Sequence, residues 1–440
     1  MSIFRFSGKI LPLLVLILTT YFLISTTSLL QLTRSFRTIH IRKHIEPIFL
    51  YRAYYDNRTG PGRLRVLAIS TCLSTTDRIF INYGSYSIPL VHRPIEKYCP
   101  WQWAPDCKWN AFHFEAPASD YTPHMNVTLP GRSLQMPVHT LPELTETLQI
   151  CVPPLYWYDD WPRLVLFVEF WKREDAAIMI YVNSISANVK RVIDYYENEG
   201  AIRVVNWPML PELRDEDPNR SIYRLSHSLA HNNCVLRSSS KYTTLLDLDE
   251  FIIVRNTSLL DFVRSQIDTD PTVGSMQFVH RGLVSNIPVD ENFDAIDTME
   301  ARVVDGPSKV LFTPSSTLFL STHFVNTHVE GFHGTTISPD EAFLLHNRIS
   351  FGDKKIGEEI EFNDKFPLDL KDRIIETRDI IFGSNTPKFS LNVTNKVVRC
   401  TSSWRHDGCK TPISSCYSTL ISMEDWIFVG PSIDSNFSVL

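Results

Sequence analysis

Between Thr147 and Phe251 strand-like and helix-like runs alternate, and this alternation limits the fold more than any other feature of the chain. Leu148-Gln-Ile-Cys-Val152 is an apolar run with the length of a buried strand. Leu164, Val165, Val168 and Trp171 then share one helical face, and Ala177-Ile-Met-Ile-Tyr-Val182 is a second strand. Val189, Val192, Ile193 and Tyr196 trace another helix, which Gly200 ends just before Ile202-Arg-Val-Val-Asn206. A third helix is predicted from Ile222, Leu225, Leu229 and Leu236, leading into a strand that ends at Asp247. Strand-helix-strand units imply a parallel sheet in an α/β domain, where ligands bind beyond the carboxyl ends of strands.

The strand that ends at Asp247 delivers two carboxylates. Period-2 geometry sends Asp247 and Asp249 out on one face while Leu248 points back into the protein. Two hard oxygen donors with open positions beyond them suit a divalent cation carrying a diphosphate. Aspartate is also common in surface turns, so the pair acquires meaning only from its place at the strand exit. Glu250 is expected to turn inward and pair with a nearby base, in a supporting role.

Ile10 to Thr33 carries no charged residue and is long enough to cross a bilayer, which takes about 20 apolar residues. It reads as a signal anchor or as a signal peptide with Ser25-Thr-Thr-Ser28 as the cleavage region. Basic residues flank it on both sides, Arg5 and Lys9 before, Arg34, Arg37, Arg42 and Lys43 after, so the positive-inside rule does not orient it. Asn-x-Ser/Thr sequons at Asn57, Asn126, Asn219, Asn256, Asn392 and Asn436 lie downstream, as do all eight cysteines, and both features suit the secretory lumen. The expectation is a single-pass type II Golgi membrane protein: cytoplasmic tail 1–9, anchor 10–33, stem 34–46. No cysteine spacing makes a zinc pattern. Short loops close readily, so Cys99–Cys107 and Cys409–Cys416 are the expected local disulfides. A net charge of −6 leaves no nucleic-acid footprint.

Ile48 to Tyr55 and Leu64 to Ser70 flank Asp-Asn-Arg-Thr-Gly-Pro-Gly and read as a hairpin, the start of a β-rich accessory region over 47–145. The succession Cys151-Val-Pro-Pro-Leu-Tyr-Trp157, Ile180-Tyr-Val-Asn183, Asp194-Tyr-Tyr-Glu-Asn-Glu-Gly200, Val204-Val-Asn-Trp207, Asn233-Cys-Val235 and Leu246-Asp-Leu-Asp-Glu-Phe-Ile252 closely resembles glycosyltransferase family 92, in particular its nematode members. Ala53-Tyr-Tyr-Asp-Asn-Arg58 resembles the family's amino-terminal motif, and Cys400 with Trp404-Arg-His-Asp-Gly-Cys409 resembles the tail of nematode members. The resemblance implies a GT-A-like transferase domain over 146–400 with a cysteine-containing extension over 401–440. It further implies UDP-galactose as donor, a divalent cation such as Mn²⁺, inversion at the anomeric carbon and a glycan acceptor.

His346-Asn-Arg348 resembles the family's His-Tyr-Arg motif with asparagine in the tyrosine position. By that resemblance His346 joins Asp247 and Asp249 as a metal ligand and Arg348 contacts the diphosphate. Asn183 is a uridine- or ribose-side contact or a turn asparagine; Lys309 sits near phosphate or on the surface. Glu300 and Glu330 are candidates for the base that deprotonates the acceptor hydroxyl, with surface carboxylates the alternative. His323 and His328 are expected to pack or hydrogen-bond rather than ligate. Two rival readings are a haloacid-dehalogenase-type phosphatase, whose nucleophile loop resembles Asp247-Leu-Asp-Glu, and a catalytically silent glycan-binding protein on the transferase fold.

Overall fold

The computed structural model describes residues 46–440 other than 59, 74–77, 84, 349–350, 352–353, 361–368, 403–408, 410–411 and 433–434, together with Thr19. The expected tail and anchor, nearly all of the stem, and residues 404–408 of the tail motif lie outside the described residues. Among the described residues no helix is long and apolar enough to cross a membrane.

The predicted hairpin is β1 (Phe49–Asp56) and β2 (Arg63–Ser70), antiparallel, with Ala53 opposite Val66. Six further strands follow in the described chain: β3 (Phe80–Tyr83), β4 (Tyr86–Pro89), β5 (Val91–Pro94), β6 (Asn110–Pro117), β7 (His124–Leu129) and β8 (Arg132–Thr140). They join the hairpin in the order β4-β3-β7-β8-β1-β2-β6-β5.

The alternating region then unfolds as its periodicity predicts: β9 (Thr145–Leu155), α1 (Trp161–Arg173), β10 (Ala176–Val182), the short β11 (Ser184–Ser186), α2 (Ala187–Asn198), β12 (Ile202–Asn206), α3 (His227–Arg237) and β13 (Ser240–Leu245). The strands β12, β10, β9 and β13 are parallel neighbours in that order. Leu164, Val165, Val168 and Trp171 of α1 are all fully buried, each contributing roughly 1.5–3 kcal/mol by leaving water. Gly200 ends α2 with φ +74, a left-handed conformation that needs no Cβ.

The third helix starts later than the sequence pattern predicts. Ile222 and Leu225 are buried but precede α3, because Arg224, Leu225 and Ser226 adopt φ of +41, +51 and +57. Non-glycine residues in that region cost about 1–3 kcal/mol each. The bend turns Tyr223 onto Trp101, ring centroids 4.9 Å apart, and Arg224 into the cleft described below.

Beyond the acidic turn come β14 (Glu250–Val254), α4 (Leu259–Thr269), β15 (Val273–Phe278), β16 (His280–Val284), β17 (Glu300–Arg302), β18 (Lys309–Phe312), β19 (Thr317–Leu320), β20 (Val325–His328), β21 (His333–Thr336) and β22 (Ala342–Arg348). The parallel sheet continues β13-β18-β15-β21, with β18 antiparallel to its neighbours, and β14-β22-β16-β17 forms a second sheet. The tail adds α5 (Leu370–Phe382), α6 (Asn392–Ser402), α7 (Pro412–Leu420), β23 (Trp426–Phe428) and β24 (Ser438–Val439).

Side chains of the parallel strands alternate between two cores. Ile150, Val152, Ile178 and Ile180 pack with α1 and α2. Cys151, Met179 and Tyr181 pack with α3 and with Phe49, Tyr51 and Tyr54 of β1. Pro47–Leu440 is therefore one compact unit, undivided at residue 145. A buried chain of hydrogen bonds ties it together: Tyr54 Oη donates to Asn233 Oδ1 at 2.5 Å, and Asn233 Nδ2 donates to Tyr181 Oη at 2.8 Å.

The cysteines pair otherwise than by short loops. The disulfides are Cys72–Cys99, Cys107–Cys409, Cys151–Cys234 and Cys400–Cys416, leaving none free. Both expected pairs, Cys99–Cys107 and Cys409–Cys416, are overturned. Successive turns closed by Ala104 N–H to Trp101 O and Cys107 N–H to Ala104 O carry Cys107 into a small cluster with Tyr223 and Cys409. Loop-closure cost rises only slowly with length, so packing decides the partners.

Candidate active site

The acidic motif lies where the two sheets meet. Leu246 follows the end of β13, and the turn closes with the Glu250 N–H donating to Asp247 O at 3.0 Å before β14 enters the second sheet. The strand predicted to end at Asp247 stops at Leu245, so period-2 geometry does not reach the aspartates; Leu248 is buried from within the turn. In the antiparallel pairing of β14 with β22, Glu250 faces His346, and the Asn347 N–H donates to Asp249 O at 2.7 Å. Register in the second sheet thus carries the His346 motif to the aspartates.

Two charge systems sit side by side. In the first, Lys309 Nζ approaches Asp247 Oδ2 at 3.0 Å and Glu250 Oε2 at 2.8 Å, while the Asp247 N–H donates to the same Glu250 oxygen at 2.9 Å. Lys309 is 2% exposed, which overturns its surface reading. Burial works against ionising Asp247, but the Lys309 charge and hydrogen bond outweigh it and hold the carboxyl far below its usual range. Burial wins for Glu250, pushed up to about 7 despite Lys309. Glu250 is inward and paired, as expected.

In the second system His346 Nε2 lies 3.1 Å from Asp249 Oδ2, and Arg348 Nε donates to His346 Nε2 at 2.8 Å. Arg163 Nη1 stands 4.0 Å from the same Asp249 oxygen, with its Nε donating to Asp160 Oδ2 at 2.9 Å and Nη1 donating to Asn347 O at 3.1 Å. Behind His346, its Nδ1 is 3.2 Å from His280 Nε2, and His280 Nδ1 is 2.9 Å from Val304 O. Burial pulls His280 down to about 4 and keeps it neutral near pH 7.

Of these groups Asp247, Asp249, Asp160, Arg163, Asn347 and Arg348 line a cleft of about 700 Å³, while Lys309, Glu250, His346 and His280 are buried and do not line it. Its walls include Pro153 to Asp160 from the end of β9 and the loop after it, Arg163, Arg224, His227, His231 and Arg348, with Thr394 and Val397 of α6 on one side. Asp160 caps α1 by accepting from the Arg163 N–H, so the helix start fixes both residues. Burial and the neighbouring Asp160 charge push Asp159 up to about 7. Three guanidinium groups beside an acidic pair make a lining suited to a diphosphate and a cation together.

Among the described residues no group of three or more His, Cys, Asp or Glu side chains is disposed to hold a metal ion. The Asp249–His346 pair nevertheless fits one. Its 3.1 Å separation matches the edge of an octahedron with bonds near 2.1 Å, about 3 Å. Asp247 is engaged with Lys309.

Other predicted site residues are not brought to the cleft. Asn183 is buried with Nδ2 donating to Trp207 O at 2.9 Å, and it does not line the cleft. Glu300 pairs with Arg302 at 2.5 Å in β17, and Glu330 is exposed in the turn between β20 and β21; neither lines the cleft. His323 and His328 hydrogen-bond to Ser308 O and Ser275 Oγ at 3.0 and 2.9 Å, as expected. Sequence reasoning missed Arg163, Asp159, Asp160, Arg224 and His280. The first three had a signal, since Asp-Asp-Trp-Pro-Arg follows a strand and starts a helix; Arg224 and His280 had none nearby.

The model for Glycosyltransferase family 92 matches residues 146–380, more than half of the 440-residue chain. Glycosyltransferase family 92 protein F13G3.3 of Caenorhabditis elegans is 28% identical over 155 residues, 34% of this chain and 31% of that protein. Family 92 protein C33H5.2 of the same organism is 27% identical over 112 residues, 24% of this chain and 22% of that protein. The chain thus matches less than a third of the length of these relatives. Among solved structures, S. aureus TarS 1–349 in complex with UDP-GlcNAc is 12% identical with TM-score 0.27, covering 59% of this chain and 72% of that one. The mannosyltransferase PcManGT from Pyrobaculum calidifontis, in complex with GDP-Man and Mn²⁺, is 11% identical with TM-score 0.27, covering 64% and 89%. Superpositions this loose fix nothing about the chain. With the family model spanning the alternating sheet, the acidic turn and the His346 strand, the chain belongs to glycosyltransferase family 92.

Proposed function

We propose that the protein is a metal-dependent, inverting glycosyltransferase of GT-A type that moves galactose from UDP-galactose to a glycan acceptor in the secretory pathway. One observation carries the reading: Asp249, paired with the buried His346 at cation-ligand spacing, lines a cleft together with Arg163, Arg224 and Arg348. Asp249 and His346 would hold a cation such as Mn²⁺, with Asp247 as third candidate. When bound, the cation supplies positive charge against the diphosphate leaving group.

The chain's own residues do the rest. Arg224 and Arg348 each present a planar fork of N–H donors, which can engage phosphate oxygens in pairs. Lys309 keeps Asp247 ionised, and Arg163 fixes the strand at Asn347. Asn347, in the family's tyrosine position, lies between His346 and Arg348 in β22 and receives Arg163 on its backbone carbonyl oxygen.

The test is a screen of the purified lumenal region against several nucleotide sugars and a glycan array, with Mn²⁺ or with EDTA. Transfer from UDP-galactose that needs the metal and yields an inverted linkage is the expected result. Metal-independent transfer, or glycan binding with no turnover of any nucleotide sugar, would sink the proposal.

A further inference from the structure

The hydrogen bonds behind the Asp249–His346 pair can be assigned proton by proton from both ends. At the far end, the Val304 carbonyl can only accept, so His280 Nδ1, 2.9 Å away, carries the hydrogen. The other ring nitrogen of His280, Nε2, faces His346 Nδ1 at 3.2 Å and can take a hydrogen from it. At the near end, a guanidinium has no acceptor, so His346 Nε2, 2.8 Å from Arg348 Nε, must accept. The two ends agree: His346 carries its hydrogen on Nδ1 and a lone pair on Nε2. That lone pair lies 3.1 Å from Asp249 Oδ2. Two electron-rich atoms facing each other are stable only with positive charge against both, which Arg348 and Arg163 provide here and a cation would provide in their place.

No other group shown here takes the His346 hydrogen. Glu250 Oε1 is 3.8 Å from Nδ1, beyond hydrogen-bond reach. The His280 ring also packs close to the backbone of Gly306. A Cβ on Gly306 would come within 2.5 Å of His280 Cδ2, so the exposed loop there leaves room for the imidazole only because residue 306 has no side chain.

We propose that His280 is a positioning residue of the cation site: by accepting the Nδ1 hydrogen of His346 it presents the Nε2 lone pair toward Asp249. The inference rests on the metal reading above. Outer partners of metal-binding histidines typically set affinity by roughly 10–100-fold.

The experiment titrates Mn²⁺ against the full lumenal region in the presence of UDP, with free Mn²⁺ read by electron paramagnetic resonance. Circular dichroism and thermal midpoints control for folding. His280→Leu is expected to weaken Mn²⁺ binding roughly 10–100-fold, and His280→Gln, which keeps one donor and one acceptor, to recover part of that loss. Gly306→Ala, which pushes on the His280 ring from outside the cleft, should also weaken Mn²⁺ binding and carries the test if His280→Leu does not fold. Wild-type protein that binds no Mn²⁺ overturns the metal reading and this inference with it. Wild-type binding with unchanged affinity in folded His280→Leu or in Gly306→Ala overturns this inference alone, as does an equal loss in the leucine and glutamine variants.

Discussion

Lys309 serves two carboxyl groups with one ammonium, at 3.0 Å from Asp247 and 2.8 Å from Glu250, in a position almost closed to water. Removing it leaves a buried carboxyl without its counter-charge, a change that typically costs about 3–5 kcal/mol. Lys309→Met should therefore lower the unfolding free energy by about that much in urea titration; a loss under about 1 kcal/mol would show that the pair is not closed to water as described. Asp249→Asn is the opposite kind of change. It keeps the side chain's shape, stays folded, and should slow metal-dependent transfer on the order of 10²–10³-fold, since a single electrostatic contributor commonly carries that much. Wild-type turnover by a folded Asp249→Asn protein at limiting Mn²⁺ would remove Asp249 from the metal site. The acidic pair, the inward Glu250 and the buried Leu248 were anticipated by strand alternation, but β13 ends at Leu245 and it is the turn from Leu246 to Asp249 that places them. Lys309 and His280 were not placed, because β18 and β16 reach the site only through sheet pairing, and no local pattern encodes that register.

At the scale of elements, the β1–β2 hairpin was readable from two apolar runs around a Gly-Pro-Gly turn, but the ion pairs that brace it were not. Arg65 Nε lies 2.7 Å and Arg58 Nη2 2.9 Å from Asp56 Oδ2, and Arg58 Nη1 donates to Pro314 O at 2.7 Å. Burial alone would raise Asp56, but hydrogen bonding and charge from Arg58, with the charge of Arg65, hold it at about 2. A lowered carboxyl stabilises the fold above its unfolded value near 3.8 and loses that contribution as pH falls through about 2. The wild type should exceed Asp56→Asn by on the order of 2 kcal/mol at pH 5, with the gap closing between pH 4 and pH 2 in parallel thermal melts. A gap that does not change with pH would refute the pairing. The start of α3 was misread for a related reason: apolar spacing reports burial, and Ile222 and Leu225 are buried, but it cannot report a left-handed backbone between them. On the cleft's flank, α6 contributes Thr394 and Val397 and is joined to α7 by Cys400–Cys416, 16 residues apart. A bridge over a loop of that size contributes about 3 kcal/mol. The double variant Cys400→Ser, Cys416→Ser should melt earlier and show a raised KM for the donor; an unchanged KM would mean that α6 does not shape the donor site.

For the molecule as a whole, the lumenal proposal can be checked residue by residue through its sequons. Asn57, Asn256, Asn392 and Asn436 are exposed and Asn126 is half-buried. Asn219 is buried, accepting the Leu210 N–H and donating to Leu210 O, both at 2.8 Å. A glycan there would break both bonds, so mass spectrometry of protein from a secretory host should find sugar at some of the others and none at Asn219. Occupancy at Asn219 in folded protein would contradict the packing. The family and the succession of strands and helices along the chain could be read from the sequence because each motif is local; the fusion of the amino-terminal sheet with the α/β core could not, since it depends on contacts such as Tyr54 with Asn233. The same fusion imposes a schedule on synthesis. Cys107 and its partner Cys409 are separated by 302 residues, which a ribosome adding about 5–20 residues per second spans in roughly 15–60 s. Throughout that interval the nearest thiol along the chain is Cys99, and Cys99 is kept from it only if Cys72, which emerges 27 residues earlier, has already claimed it. The first disulfide to form thus acts as a placeholder, and a cell that delays it would accumulate chains locked in the Cys99–Cys107 pairing, awaiting an isomerase before the last strand can dock.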